Sequence, residues 1–224
     1  MEVVKHYGKN ENGRDFITSD LHGCYDLLHE QMKLHAFDTS KDRLFVGGDN
    51  CDRNPDSTNI LDYIYEPWFI SVAGNHCDML IDAYENPNDR LAYEMLYCNG
   101  GEWYYDCSPE KQKAIYEAFK SLPLAIEVET SSGLIGIIHG EVPYNDWDKF
   151  KNITKAELEW NGKAVAQWAR TRYDKQDKSI VKGVTRVLVG HQPTHSGEIE
   201  VLGNVWYCDL GSFFRNRISF LEIT

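Results

Sequence analysis

Side chains that bind metal ions or transfer protons follow five predicted strands of this sequence. They are Asp20 with His22, Asp49, Asn75 with His76, His139 and His191. Carboxylate and amide oxygens combined with imidazole nitrogens suit Mn, Fe or Zn better than calcium. Without His76, which directly follows Asn75 and can face a substrate instead, six ligands remain. Six exceed the need of one tetrahedral ion and match two ions that share a bridging carboxylate. The pattern therefore predicts a site for two divalent metal ions.

The spacing of the first three strand ends indicates how they come together. Asp20 and Asp49 are 29 residues apart, and Asp49 and His76 are 27 apart. Each interval fits one strand–helix–strand crossover of ~30 residues. The carboxyl ends of parallel strands lie on one edge of a sheet, where ligands bind. Because Asp20 and His22 are two positions apart, an extended backbone would direct both side chains to the same face.

Glycines adjoin all five of these strand ends. They are Gly23, Gly48, Gly74, Gly140 and Gly190. Glycine permits tight turns that bring the backbone close to a bound ion or phosphate. A single histidine at a strand end is more often a packing residue than a ligand, so neither His139 nor His191 alone would predict a site. The prediction depends on the coincidence of ligand types at every strand end.

Hydrophobic patterning predicts the elements that position these side chains. Three short strands are predicted at residues 16–19, 44–46 and 68–72, and a helix at 25–34. A hairpin is predicted from strands at 125–129 and 134–138, with later strands at 187–189, 206–208 and 218–223. Residues 81–120 and 156–173 are predicted to be mostly helical, with a break near 161–162. The expected fold class is α/β (α+β), with a central β-sandwich flanked by helices and a βαβαβ metal-binding core.

The composition predicts one globular domain over residues 1–224, because 42% of the residues are hydrophobic and 26% are charged. No stretch approaches the ~20 consecutive apolar residues of a membrane span, and the first residues lack the apolar core of a signal peptide. We therefore expect a cytoplasmic protein with no membrane partner. The formal net charge of −12 argues against nucleic acid as a partner but leaves an anionic substrate open. The sequence predicts no oligomeric state.

The six cysteines are dispersed and form no C-x-x-C pair, which argues against a disulfide framework and a zinc ribbon. Cys24, Cys51 and Cys77 each lie two residues after a predicted ligand. Redox sensitivity is one interpretation of this spacing. We favour the other, that small buried side chains fit behind tight turns.

Three motifs in order along the chain resemble the signatures of the PPP metallophosphoesterases. Asp20-Leu21-His22-Gly23 resembles D-x-H-G, residues 48–53 resemble G-D-x-x-D-R-G, and Gly74-Asn75-His76 resembles the start of G-N-H-[DE]. Within that family the similarity is greatest to the bacterial and phage-type serine/threonine phosphatases and extends over nearly the whole chain. The resemblance implies a metallophosphoesterase fold and a dinuclear metal centre with Mn, or alternatively Fe or Zn.

The resemblance also implies a role for each matching residue. One metal would be held by Asp20, His22 and Asp49, and the second by Asp49, Asn75, His139 and His191. A hydroxide shared by the two ions would attack phosphorus in line. His76 would be the general acid for the leaving alkoxide, with Asp52 behind its imidazole. Arg53 and Arg170 would bind the phosphate oxygens.

The function implied is that of a metal-dependent phosphomonoesterase acting on phosphoserine, phosphothreonine and also phosphotyrosine in proteins, peptides or small phosphoesters. A symmetrical diadenosine tetraphosphate hydrolase shares the same motifs and is the alternative enzyme. That relative is usually longer, so the length of 224 residues favours the phosphatase. A weakly active or non-catalytic phosphoprotein-binding relative is the alternative from another class.

The sequence departs from the family pattern at Ala73, Cys77 and Asn54, where close relatives have Arg, an acid and Gly. Ala73 removes a guanidinium expected to bind phosphate, and a lost charged donor in a dry site costs several kcal/mol of transition-state stabilisation. The candidates to replace it are Arg43, Arg172 and Arg186. None of the predicted metal ligands is altered by these changes.

Overall fold

Two β-sheets form the centre of the computed structural model, which describes residues 3–223. The strands are β1 (Val4–Tyr7), β2 (Asp15–Thr18), β3 (Arg43–Val46), β4 (Phe69–Ser71), β5 (Ala125–Thr130), β6 (Gly133–Ile138), β7 (Arg186–Val189), β8 (Glu200–Leu202), β9 (Val205–Tyr207) and β10 (Leu221–Ile223). A six-stranded sheet has the order β1-β5-β6-β7-β9-β8, and a four-stranded sheet has the order β10-β2-β3-β4.

Parallel pairing brings the carboxyl ends of several strands to the same edge. In the four-stranded sheet β2 pairs with β3 and β3 with β4, all parallel. In the six-stranded sheet β6 pairs with β7 and β7 with β9, also parallel. The predicted hairpin is the antiparallel pair β5 and β6. The βαβαβ prediction for the first part of the chain is therefore confirmed.

Eleven α-helices occur within the described residues. They are α1 (Tyr25–Leu34), α2 (Leu61–Ile64), α3 (Asn75–Glu85), α4 (Arg90–Leu96), α5 (Glu102–Tyr105), α6 (Pro109–Ser121), α7 (Trp147–Lys151), α8 (Lys155–Glu157), α9 (Lys163–Trp168), α10 (Thr171–Asp174) and α11 (Ser212–Arg215). A π-helical turn at Leu158–Gly162 continues α8 into α9 without interruption, so the predicted break near 161–162 is wrong. The helical run ends at Ala169, whose backbone is extended. None of the helices in the described part of the chain is long and apolar enough to cross a membrane.

The apolar side chains form three clusters that match a sandwich flanked by helices. One lies between the sheets, where Ile17 and Phe45 pack in the same cluster as Leu188. A second joins the four-stranded sheet to α1, α3 and α6, and a third joins the six-stranded sheet to α7, α9 and α10. The predicted fold class is thereby confirmed.

Strands β1 and β8 are absent from the sequence prediction. β1 has exposed residues at its centre and pairs in parallel with β5, 121 residues further along the chain. β8 is three residues long and pairs with β9. Neither carries the apolar run that predicts a strand locally, so their pairing partners decide their conformation. The predicted strand at 218–223 is shorter, since β10 begins at Leu221.

Candidate active site

The predicted ligands meet at one edge of the molecule, where strands from both sheets end. Asp20 and His22 follow β2, Asp49 follows β3, Asn75 and His76 begin α3 after β4, His139 follows β6 and His191 follows β7. All of these side chains are buried. Five of them, together with Arg53 and Arg170, line a cavity of about 270 Å³: Asp20, His22, Asp49, Asn75 and His191. The other two, His76 and His139, contact Asp49 Oδ2 through Nε2 at 3.8 and 3.2 Å. The structure therefore brings together the whole set that the sequence predicts.

Asp49 is at the centre of this cluster. It belongs to two groups whose ligand atoms all lie within 4.8 Å of one another, one with His22 and His76 and one with His139 and His191. Its Oδ2 is 3.2 Å from His139 Nε2 and 3.9 Å from His22 Nε2. Burial alone would raise the pKa of Asp49, but His139 and His76 outweigh it and hold the pKa well below its ordinary value. A charged carboxylate that lies between two pairs of histidines is suited to bridge two cations.

The backbone at this edge is more sharply turned than the sequence predicts. Asp20 and His22 have φ of 46° and 45°, and Asp49 has φ of 46°. The expectation of an extended backbone from Asp20 to His22 is therefore wrong. The turn is held by the N–H of His22, which donates to the Asp49 carbonyl at 2.9 Å. Non-glycine residues rarely adopt this left-handed region, and such strain concentrates at functional sites.

Three of the histidines are oriented by backbone carbonyls. The acceptors lie 2.9 Å from His22 Nδ1, 2.7 Å from His139 Nδ1 and 3.1 Å from His191 Nε2. Because a carbonyl only accepts hydrogen bonds, the facing ring nitrogen of each histidine carries a proton. In His22 and His191 the other nitrogen is left as an acceptor, whereas His139 Nε2 faces two further oxygens, Asn75 Oδ1 at 2.9 Å and Asp49 Oδ2 at 3.2 Å. Burial lowers the pKa of His191 to about 3 and also lowers that of His22. Both rings are therefore neutral, which is the form that binds metal.

Two buried carboxylates of the site indicate that it is built for a cation. Asp20 and Asp209 are 1% and 4% exposed. Burial raises the pKa of both side chains, and their mutual repulsion raises that of Asp20 further. Such a pair is costly to bury unless positive charge lies beside it. Together with the neutral imidazoles, this set of oxygen and nitrogen donors fits divalent metal ions.

Asp20 lies in the same cavity but outside the two groups that share Asp49. One of its carboxylate oxygens accepts from the Ser19 hydroxyl, and the other accepts from the His191 N–H at 2.7 Å. Asp209 is a site residue that the sequence prediction missed. It follows β9 by two residues, so the strand-end rule that selects the other ligands would also have selected it.

His76 forms a buried pair with Asp52. Its Nδ1 lies 2.6 Å from Asp52 Oδ2, and the indole N–H of Trp103 donates to Asp52 Oδ1 at 2.7 Å. Burial disfavours the charged imidazole, but the Asp49 carboxylate and the Asp52 hydrogen bond outweigh it and raise the pKa of His76. Trp103 is a second residue that the sequence prediction missed, because a tryptophan after Gly100-Gly101 indicates only core or groove packing.

Two arginines face the cavity. Arg53 Nη2 lies 3.2 Å from His76 Nε2, and Arg170 Nη2 donates to the His191 carbonyl at 3.3 Å. Their guanidinium groups are the two positive side chains in the cavity wall among residues 3–223. Planar guanidinium groups match the oxygens of a phosphate. The arrangement can thus hold a phosphoryl group between a cation site, two guanidiniums and an imidazole.

A family model of calcineurin-like phosphoesterases matches residues 16–214 of the chain. The protein belongs to the calcineurin-like phosphoesterase family. The resemblance to metallophosphoesterases in the sequence motifs is thereby confirmed. The match includes every residue of the cavity wall, from Asp20 to Phe214.

Relatives of this phosphoesterase extend over its full length. Serine/threonine-protein phosphatase 2 of Salmonella typhimurium is 29% identical over 228 residues, which is 100% of both chains. An asymmetrical bis(5'-nucleosyl)-tetraphosphatase of Oceanobacillus iheyensis is 28% identical over 91% of this chain and 86% of its own. A serine/threonine phosphatase structure from Saccharomyces cerevisiae has the same fold, with a TM-score of 0.58 at 17% identity over 92% of this chain and 69% of that chain.

Close relatives have an arginine at the position of Ala73. None of the three arginines named from the sequence takes its place in the cavity. Arg43 binds Asp15 at 2.7 Å, Arg172 donates to the carbonyls of residues 177 and 179, and Arg186 lies 4.0 Å from the Trp206 ring. That expectation is therefore wrong, because each guanidinium already has partners away from the cavity. Around Ala73 this phosphoesterase instead has Gln167, whose amide donates to the carbonyls of residues 73 and 74 at 3.3 and 3.0 Å.

The three cysteines near the ligands are buried in this phosphoesterase. Burial raises the pKa of Cys24, and raises those of Cys51 and Cys77 well above the ordinary thiol value. The reactive thiolate form is therefore disfavoured at all three positions. This supports packing, rather than redox sensitivity, as the reason for cysteine behind these turns.

Proposed function

We propose that this protein is a metal-dependent phosphomonoesterase that hydrolyses phosphoserine, phosphothreonine and phosphotyrosine in proteins or peptides. The observation that carries the proposal is the buried His76–Asp52 pair beside the two residue groups that share Asp49. The Arg53 guanidinium lies next to the His76 imidazole. A phosphomonoester needs a proton donor for the leaving oxygen, positive charge for the phosphoryl oxygens and an activated nucleophile. Full-length similarity to a bacterial serine/threonine phosphatase supports this substrate class.

The proposed metal centre has two divalent ions, with Mn as the first candidate and Fe or Zn as the others. Asp20, His22 and Asp49 would hold one ion. The other would be held by Asp49, Asn75, His139 and His191. When bound, such ions lower the pKa of water, supply a nucleophile and neutralise phosphoryl charge.

Side chains of the protein bind the phosphoryl group and supply the proton for the leaving oxygen. Arg53 and Arg170 bind and orient the phosphoryl oxygens. Water forms the new bond to phosphorus and releases a proton to the solvent while the ester P–O bond breaks, and the leaving oxygen keeps the electron pair. His76 donates its Nε2 proton to that oxygen, and Asp52 stabilises the imidazolium before the transfer. The solvent later returns a proton to His76. Trp103 holds Asp52 in place through the 2.7 Å hydrogen bond.

The test compares phosphopeptide hydrolysis by chelated protein with that by protein reconstituted with Mn, Fe, Zn or Mg. His76→Asn removes the acid, and we expect a loss of about 100-fold or more in kcat. His29→Asn is the matched control, because His29 is exposed and its Nε2 contacts only the Tyr63 hydroxyl among the hydrogen bonds found for it. Turnover that is equal with and without metal, or equal in His76→Asn, would contradict the proposal.

Diadenosine tetraphosphate belongs in the same panel, because a relative over 91% of this chain is named as an asymmetrical tetraphosphatase. ADP alone as product would indicate symmetrical cleavage, and AMP with ATP would indicate asymmetrical cleavage. Faster turnover of this substrate than of phosphopeptides would replace the proposed substrate class. Tight phosphopeptide binding without turnover would favour the non-catalytic alternative.

The free state of all six cysteines supports the cytoplasm as the place of action.

A further inference from the structure

Two phenylalanines with exposed rings stand at the edge of the catalytic cavity. Phe213 is 40% exposed and Phe214 is 51% exposed, and both line the cavity with His22 and Arg53. We refer to Phe213 and Phe214 as the aromatic rim. Large apolar side chains left in contact with water beside a polar site are a marker of a binding surface. None of the roles proposed above uses these rings.

The aromatic rim has a defined position. Both rings belong to α11, which is enclosed by left-handed residues at Gly211 and Asn216 with φ of 86° and 55°. The Ser212 hydroxyl donates to the Asp20 carbonyl at 2.5 Å, which ties the helix to the site. A Cβ added at Gly211 would lie 2.6 Å from the ring of Phe214, so that ring packs closely on the turn. The rim is therefore built into the site.

The aromatic rim also contacts the group that would bind phosphate. The Arg53 guanidinium lies 4.6 Å from the Phe213 ring centroid, and the Phe213 ring lies edge to face with His22 at 5.4 Å. The two rim rings are 5.0 Å apart. A phosphoryl group bound by Arg53 therefore lies next to the Phe213 ring, in a cavity that Phe214 also lines. An aromatic leaving group can pack on such rings, whereas a serine side chain is too short to do so.

We propose that the aromatic rim binds the ring of an aryl leaving group, so that phosphotyrosine is preferred over phosphoserine in peptides of otherwise identical sequence. This inference rests on the proposed function. In the reaction, water forms the new bond to phosphorus, the P–O bond to the phenol breaks, and the phenol oxygen keeps the electron pair and takes up a proton. The rim acts on the ring of the substrate and takes no part in the proton transfer.

The first test measures kcat/KM for a phosphotyrosine peptide and its phosphoserine counterpart. The wild type is expected to prefer phosphotyrosine, and Phe214→Leu to lower the phosphotyrosine-to-phosphoserine ratio about three- to tenfold. Phe214→Tyr, which keeps the ring, should retain the ratio. Trp160→Leu is the control, because Trp160 is 91% exposed and is not part of the cavity wall. A wild-type preference for phosphoserine, or an unchanged ratio in Phe214→Leu, would overturn the inference.

The second test separates the inference from the proposed function. Binding of phenylphosphonate and methylphosphonate, which are not hydrolysed, is measured on the metal-loaded protein and on Phe214→Leu. We expect phenylphosphonate to bind more tightly than methylphosphonate and to lose this advantage in Phe214→Leu. If phenylphosphonate binds more tightly but no phosphopeptide is hydrolysed, the proposed function is refuted and the role of the aromatic rim is supported. If phosphopeptides are hydrolysed but the two phosphonates bind equally, only the role of the aromatic rim is refuted.

Discussion

Asp52→Asn is the substitution that most directly tests the role of the His76 pair. The Asp52 carboxylate accepts one hydrogen bond on each oxygen, from Trp103 Nε1 at 2.7 Å and from His76 Nδ1 at 2.6 Å. An asparagine of the same shape has one acceptor oxygen and one NH₂ group. The N–H of either Trp103 or His76 would then point at the NH₂ group of the asparagine, which cannot accept a hydrogen bond. The buried imidazolium also loses its counter-charge.

The magnitude follows from the strength of the lost contact. A hydrogen bond to a charged group contributes about 1.5–3 kcal/mol, which at 1.36 kcal/mol per decade corresponds to about 10- to 150-fold in rate. The loss is expected for a phosphoserine peptide, whose alkoxide needs a proton. An aryl phosphate with an electron-withdrawing ring needs less acid assistance and should lose much less. Trp103→Phe, which leaves the Asp52 charge in place, should cost less than Asp52→Asn.

The pH dependence of kcat gives an independent readout. Burial lowers the pKa of His76, but Asp49 and the Asp52 hydrogen bond outweigh it, so the net pKa is raised. Only the protonated imidazole can donate, so activity should fall as pH rises through the pKa of His76. Removing the Asp52 charge lowers the pKa of His76 and should move that fall to lower pH. Equal losses on alkyl and aryl substrates, together with an unmoved profile, would refute this reasoning.

Three further predictions concern stability and metal binding. Saturating Mn should raise the midpoint of thermal unfolding by about 5–10 °C over chelated protein, since binding at 100 Kd stabilises by ~2.7 kcal/mol, and Asp49→Asn should abolish the shift. Gly48→Ala should lower the affinity for metal in a titration, because Gly48 has φ of 101° and a Cβ there would lie 2.5 Å from His139 Nδ1. Glu127→Gln should destabilise the protein by ~1–3 kcal/mol in denaturant unfolding at pH 7, because Glu127 accepts from Lys151 at 2.7 Å and Trp147 at 2.9 Å. Burial would raise the pKa of Glu127, but these donors hold it below its ordinary value, so the difference should disappear as pH falls through that lowered pKa.

The predicted metal ligands could be found in the sequence because each one follows a short apolar strand. That relation is local, since the same few residues specify the strand, the turn and the side chain that comes after it. The order and spacing of the motifs then indicate that the strands are parallel and share one edge. For the same reason, the ten-residue helix α1 and the hairpin β5–β6 agree with the sequence prediction.

Contacts between distant parts of the chain decided the rest. Asp52 and Trp103 are 51 residues apart, and Ser212 ties the aromatic rim to Asp20 across 192 residues. No local pattern indicates that a tryptophan will donate to the carboxylate that pairs with His76, or that two phenylalanines will line a cavity rather than pack in the core. The sequence alone therefore predicted which side chains would bind metal and determined the order in which they occur. Only the packing of the two sheets decided what surrounds them, because burial, charge partners and backbone turns at the site depend on residues brought together by folding.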